Sequence, residues 1–285
     1  MPDQSGPAMV HKTASAAIAP LAAEPSAPAV EPSHTSRQVR LDLDVMISSG
    51  IVTPNAPRSH LADQFRLIKR PLLAAAKATG EKAIKHGNLI MVTSSLAGEG
   101  KSYTSLNLAM SIAMELDNTV MLVDADVARP SILRMLGLQT LPGLLDVLEG
   151  SEEMHNVLLK TSIDKLTILP SGATRPKATE LLASDAMRVL LDDMAARYPD
   201  RIIIFDSPPL LLTTEARVLA TQMGQVVMVV QAERTLQSDV QHALASIKGC
   251  AHINLVLNKA RGGAPDGYGS AYGYGYGASS GKPTL

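Results

Sequence analysis

The chain has 285 residues, 46% of them hydrophobic, which suits one globular domain with extensions. Its net charge of −1 gives no overall drive toward DNA or anionic lipid, so no nucleic-acid partner is expected, and its one cysteine, Cys250, excludes an intramolecular disulfide and suits a reducing cytoplasm. Apolar runs such as Val226–Val230 fall far short of the roughly 18 residues that span a bilayer, and the first residues lack the layout of a signal peptide, so a soluble chain is expected.

Residues 1–36 are rich in Ala, Pro and Ser with little apolar bulk, and read as a disordered arm. From Leu61 to Ala76, Leu61, Phe65, Ile68, Leu72 and Leu73 fall on one helical stripe, while Asp63, Arg66, Lys69 and Arg70 lie opposite. Leu89–Thr93 reads as a strand that runs through a glycine-bearing loop into a helix over about 101–116. Strands are then expected at Thr119–Val123, Leu166–Leu169, Ile202–Phe205, Val226–Val230 and Ile253–Leu257. Helices are expected at about 179–198, 214–222 and 237–249. Residues 262–285 are glycine-rich and low in complexity, a flexible tail that leaves 37–261 as the folded domain.

Continuous apolar strands alternating with helices predict an α/β fold: a doubly wound, mostly parallel sheet with right-handed crossovers. Ligands of such sheets bind beyond the carboxyl ends of the strands, where every notable motif of this chain falls.

The first strand leads into Ser94-Ser95-Leu96-Ala97-Gly98-Glu99-Gly100-Lys101-Ser102, which predicts a P-loop NTPase. Glycines let backbone N–H groups turn toward phosphate oxygens, and the following helix adds its positive end. Gly98, Glu99, Gly100, Lys101, Ser102 and Tyr103 are thus the expected ATP contacts, with Lys101 reaching the β- and γ-phosphates and the Ser102 hydroxyl on Mg²⁺. The strict pattern has Gly where this chain has Ser95. The second strand ends in Asp124-Ala125-Asp126-Val127-Ala128-Arg129-Pro130, either a solvated acidic turn or a carboxylate pair aimed at a metal and a nucleophile, with Arg129 balancing phosphate charge. Ile202–Phe205 ends in Asp206-Ser207-Pro208-Pro209, where an Asp beside a P-loop is placed to hold Mg²⁺ through water. Asn258, closing the last strand, is either an adenine-edge contact or an ordinary turn residue. The seven histidines show no ligand-like pair, so no transition-metal site is expected.

Together these motifs resemble the bacterial tyrosine kinases, P-loop autokinases that regulate capsule and exopolysaccharide production. The resemblance rests on the phosphate loop, the Asp124-x-Asp126-x-x-Arg129 motif, the run ending Asp206-Ser207-Pro208-Pro209 and a C-terminal tyrosine cluster. Phe65–Leu72 and Ala178–Ser184 are similar to the stand-alone autokinases associated with exosortase systems. Ala97 stands where many members have Pro, and Lys177-Ala178 replaces an Asn-Pro.

The resemblance implies that Lys101 stabilises the transferring phosphoryl group, that Ser102 and Asp206 hold Mg²⁺ with support from Asp126, and that Asp124 orients or deprotonates the acceptor hydroxyl. It implies phosphorylation of Tyr268, Tyr272, Tyr274 and Tyr276 in a neighbouring subunit's site. A homo-oligomer is implied too, because the family assembles rings through a Glu-x-x-Arg-x-x-Arg helix and Asp63-x-x-Arg66-x-x-Lys69 is a conservative variant, unless those charges are only a solvated face. A membrane-embedded polysaccharide co-polymerase is the implied activator, which would hold the chain at the inner face of the plasma membrane. Two other readings stay open: a partitioning or division-site ATPase, which would carry a lysine where this chain has Leu96, and a non-catalytic ATP-binding regulatory module.

Overall fold

The structure, a computed structural model, describes residues 37–197 and 200–261; the predicted arm and tyrosine tail lie outside them. The first elements are β1 (Arg37–Val39), α1 (Leu43–Ser48), α2 (His60–Ala76), β2 (Leu89–Ser94), α3 (Lys101–Ala113) and β3 (Thr119–Asp124). Short elements follow: α4 (Ile132–Met135), α5 (Leu144–Leu148), α6 (Met154–Val157), β4 (Leu159–Thr161) and β5 (Leu166–Leu169). The chain continues through α7 (Ala178–Leu182), α8 (Asp185–Arg197), β6 (Arg201–Asp206), α9 (Thr214–Gln222), β7 (Gln225–Gln231), α10 (Gln237–Ser246) and β8 (Ile253–Asn258).

The strands form one eight-stranded sheet in the order β1-β4-β5-β3-β6-β2-β7-β8, parallel except where β4 meets β5. The predicted doubly wound sheet is present. Its central strands are buried on both faces because alternate residues enter different layers. Leu89, Met91, Met121, Val123, Ile203 and Phe205 face one apolar cluster; Ile90, Val92, Val120, Leu122, Ile202 and Ile204 face the other. Such burial contributes about 1.5–3 kcal/mol per large side chain, which explains why these strands read as unbroken apolar runs. Among the described residues, no helix is long and apolar enough to cross a membrane.

Two predicted elements need correction. The helix expected over 179–198 is two helices, because Ser184 restarts the chain: its Oγ accepts from Met187 N at 3.2 Å, an N-cap bond. On α2 the apolar stripe is borne out, with Phe65 and Leu72 buried and Ser59 capping its start. Lys69 is not on the outer face beside Asp63 and Arg66. It is buried, and its Nζ donates to Ser111 O at 2.6 Å and pairs with Glu115 at 2.6 Å, joining α2 to the end of α3. Only the exposed Asp63–Arg66 pair of the predicted ring triplet faces solvent.

Two buried amides join further layers. Asn107 on α3 accepts from Val52 N at 2.7 Å, fixing the segment after α1, and Gln225 donates to Leu72 O at 3.0 Å and Gly87 O at 2.7 Å. Breaking such buried bonds costs more than losing an exposed ion pair. Lys69→Met is therefore expected to lower the unfolding free energy by about 1–3 kcal/mol, and Asp63→Ala by less than about 0.5 kcal/mol. Urea titration followed by circular dichroism measures both. Equal, small shifts would show that Lys69 does not brace α2 against α3.

Candidate functional site

β3 and β6 end at the same level, with Asp124 in register with Asp206, and β2, whose Val92 lies at that level, runs on to Ser94. The sequence motifs therefore meet above the carboxyl ends of three adjacent strands. A cleft of about 360 Å³ opens there, lined by the phosphate-loop residues Ala97, Gly98, Lys101 and Ser102, by Asp126, Arg129 and Ser131, and by Pro208, Pro209 and Leu212. A second cleft of about 400 Å³, lined by His86, Met223, Cys250 and His252, lies at the opposite ends of the strands and holds none of the predicted site residues.

The phosphate loop is shaped by its glycines and held from one side. Gly98 and Gly100 adopt φ of 85° and 101°, where side chains are strained. A Cβ on Gly100 would also collide with Asn258 Nδ2. Among the described contacts, no hydrogen bond occupies the backbone N–H of Gly98, Gly100, Lys101, Ser102 or Tyr103, and the last three begin α3. That arrangement suits an anionic oxygen. The turn after β6 is strapped to the loop's base: Ser207 N donates to Val92 O at 3.0 Å, Leu210 N to Ser94 O at 2.8 Å and Thr93 Oγ1 to Pro208 O at 2.7 Å.

Lys101 is the hub. Its Nζ lies 2.5 Å from Asp126 Oδ2, 3.3 Å from Ser102 Oγ and 3.9 Å from Asp206 Oδ1. Burial works against its charge, but Asp206, Asp126 and Asp124 outweigh burial and raise its pKa. Asp206 is fully buried; burial raises its pKa, opposed by Lys101 and by hydrogen bonds from Ser102 and Ser105. Ser105 Oγ donates to Asp206 Oδ1 at 3.1 Å, leaving Oδ2 buried without a partner. Asp124 Oδ1 is likewise buried and unpartnered. One ammonium among three clustered carboxylates, two of them with an orphaned oxygen, leaves a local negative charge that favours a cation at the cleft. Among the described residues, no group of three or more His, Cys, Asp or Glu is arranged to hold a metal by itself, this cluster included.

Three expected contacts sit differently. Asp124 Oδ2 accepts from Ser131 N and Ile132 N, both at 3.0 Å, at the start of α4, and Asp124 is recessed behind the cleft. Of the two carboxylates, the one that lines the cleft is Asp126. Tyr103 is turned away, its hydroxyl donating to Gly50 O at 2.5 Å, which leaves only its backbone N–H for a phosphate. Asn258 Nδ2 donates to Glu99 O at 2.9 Å, so one of its two amide donors braces the loop. Arg129 lines the cleft as expected, exposed and with no ion pair among the described residues.

Sequence reasoning missed the clamp on the loop. Glu99 is buried; its carboxylate accepts from Leu96 N at 2.6 Å and from the Thr235 hydroxyl. Lys259 Nζ adds a bond to Gly98 O at 2.7 Å. A buried Glu inside an exposed-looking glycine loop was the available signal, since such a carboxylate needs donors nearby.

Comparison with known proteins fits this geometry. The ParA family model, described as "NUBPL iron-transfer P-loop NTPase", matches residues 85–255. CpsD of Streptococcus agalactiae, named a tyrosine-protein kinase, is 30% identical over 179 residues, which are 61% of this chain and 76% of that protein. The chain belongs to the bacterial tyrosine-protein kinase family. YwqD of Bacillus subtilis, also so named, is 29% identical over 79% of this chain and 90% of that protein. EpsB of Ralstonia nicotianae, a putative tyrosine-protein kinase by name, is 29% identical over 84% of this chain, which spans only 32% of EpsB. Among solved structures, the chimerical protein CapA2B2 superposes with a TM-score of 0.61 at 25% identity, covering 77% of this chain and 92% of that one. The VpsO kinase domain superposes at 0.59 with 27% identity, covering 70% of this chain and 96% of that one.

The recessed Asp124 has a measurable consequence. Burial first, then the charge of Asp206, pushes its pKa from 3.8 to about 7. Between those values the folded chain keeps a proton that the unfolded chain has released, so stability falls as pH rises from about 4 to 7 and the penalty is constant above. Asp124→Asn is expected to melt higher than the parent at pH 8 in nucleotide-free buffer with EDTA, and to match it near pH 4. A pH series of thermal melts tests this; an unchanged or lower melting point at pH 8 contradicts it. Gly100→Ala is expected to destabilise the chain and abolish nucleotide binding, and Asn258→Ala added to it to recover only the steric part of the loss. Full recovery in the double variant would rule out backbone strain at Gly100.

Proposed function

We propose that the chain is an ATP-dependent protein-tyrosine autokinase that phosphorylates the tyrosine cluster of a neighbouring copy. The observation that carries this reading is Lys101 held between Asp126 and Asp206 at the mouth of a cleft with unpaired loop amides. In this reading ATP lays its phosphates along the N–H groups of Gly98–Tyr103, and Lys101 exchanges Asp126 for the γ-phosphoryl oxygens. Ser102 and Asp206 would hold Mg²⁺, which would supply neutralisation of phosphate charge. Arg129, on the open side of the cleft, meets the same charge.

The phenol of Tyr268, Tyr272, Tyr274 or Tyr276 attacks the γ-phosphorus in line; the bond to the ADP oxygen breaks as the bond to the phenolic oxygen forms. A phenol with a pKa near 10 keeps its proton at neutral pH, and Asp126, freed by Lys101, stands on the cleft to accept it. Recessed Asp124 adds negative charge behind the cation rather than touching the hydroxyl. Most of the rate then comes from positioning and charge neutralisation.

Further parts of the proposal follow the relatives: regulation of exopolysaccharide synthesis or export, a homo-oligomer, and a membrane-embedded co-polymerase activator that brings the chain to the inner face of the membrane. Leu96 speaks for the kinase over a partitioning ATPase, since it stands where those enzymes use a second lysine.

Incubation with Mg-ATP followed by intact mass is expected to show added phosphates, none of them on a chain truncated after Arg261, with the rate reduced about 10²–10³-fold in Lys101→Met. ADP release without added mass would replace the kinase with an ATPase. Binding without turnover would leave a regulatory module.

A further inference from the structure

The sheet ends on β8, and among the described residues nothing pairs with its outer edge. The strand INLVLN contains no charge and no proline, the features that usually keep an edge strand from pairing. Its side chains alternate between the two layers. Val256 stands beside Val229 and packs with the cluster under α2 and α3. Ile253, Leu255 and Leu257 stand beside Val226, Met228 and Val230, continuing the apolar face that α10 partly covers. Leu255 and Leu257 nonetheless remain 57% and 65% exposed. An unpaired edge with an uncovered apolar row has room for one more strand.

The chain carries a segment with the matching pattern close by. After Asn258, residues 259–267 include Gly262-Gly263 and Pro265-Asp266-Gly267, residues that reverse a chain. From Tyr268 to Tyr276 the alternation is then strict: Tyr268, Ser270, Tyr272, Tyr274 and Tyr276 on one parity, Gly269, Ala271, Gly273 and Gly275 on the other. In an extended backbone this places all four tyrosines on one face and only hydrogen or methyl groups on the other.

We propose that Tyr268–Tyr276 docks antiparallel on the outer edge of its own β8, with its tyrosines against Leu255 and Leu257. The connecting residues 259–267 need only cross one strand spacing of about 4.8 Å, well within their reach. Aromatic–aliphatic pairs between neighbouring strands supply the contact, and alternate glycines keep it weak enough to reverse. This deepens the kinase reading and rests on it for its consequence: the docked tail keeps acceptor tyrosines out of the cleft until they are released to a neighbour. Each phosphate would add about −1.5 to −2 charges against leucines, so a modified tail does not redock. Docking itself needs neither nucleotide nor catalysis, and it is tested without them.

The full-length chain, treated with phosphatase until its intact mass shows no phosphate, is followed by hydrogen exchange with mass spectrometry at low and high protein concentration. Amides of 269–276 and of β8 are expected to exchange about tenfold more slowly in the parent than in Leu255→Lys or Leu257→Lys, independently of concentration. Both leucines are exposed, so these variants keep the fold, and Tyr272→Ser/Tyr274→Ser/Tyr276→Ser, which alters no described residue, is expected to lose the same protection. Free-chain exchange of 269–276 in the parent, or protection unchanged by the lysines, would overturn the proposal. So would protection of β8 alone or protection that grows with concentration, either of which gives the edge to a second copy.

Discussion

The structure depends on a buried charge imbalance: one ammonium, Lys101, among Asp124, Asp126 and Asp206. Such a cluster is unstable without a scaffold, since burying a carboxylate is costly unless a partner compensates it. The parallel sheet supplies that scaffold. β3 and β6 pair through their last residues, which sets Asp124 beside Asp206, and β2 places the phosphate loop over both. Because the three strands are covered on both faces, none can shift its register without moving apolar side chains out of the core. Core packing thus holds the site, and the residual negative charge makes the site receptive to a cation and a phosphate.

The loop that must receive the phosphate is tied to the far side of the sheet. Glu99 meets Thr235 in the turn between β7 and α10, and Asn258 and Lys259, at the end of β8, meet the carbonyls of Glu99 and Gly98. Asn258 and Lys259 occupy carbonyls, and Glu99 takes the Leu96 amide at the loop's start, so bracing does not compete for the amides of Gly98 and Gly100–Tyr103. A strict phosphate loop begins with a glycine where this chain has Ser95; here Ser95 O instead accepts from Leu211 N at 3.2 Å, fixing the loop's first turn to the segment after the prolines.

Which parts were legible in the sequence follows from what each part needs. β2, β3, β6 and β7 are buried on both faces along most of their length, and that leaves an unmistakable apolar run. β1 and β4 have three residues each and lie at or near the sheet margin, so they carry no period to read. Lys69, Asn107 and Gln225 were illegible for another reason: their role depends on carbonyl and amide partners far away in sequence, and a charge on an amphipathic helix looks like solvent exposure. The directions of Asp124 and Asp126 were not legible from their spacing. Two residues apart on a strand would share a face, but β3 ends at Asp124, and Ala125 N bonds to Asp206 O at 2.8 Å. Past that point direction is set by the loop, which turns Asp126 to the cleft and leaves Asp124 at the start of α4.

That arrangement gives the site an internal logic on the kinase reading. In the structure Asp126 is the closest partner of Lys101, so neither charge is free. A phosphate arriving on the loop offers Lys101 a stronger, multiply charged partner, and the more completely Lys101 moves to it, the more completely Asp126 is released. Without nucleotide, Asp126 is neutralised and a hydroxyl in the cleft meets no base. With nucleotide, the same displacement that stabilises the phosphoryl group exposes the carboxylate beside the acceptor. Binding and proton acceptance are then coupled through one ion pair.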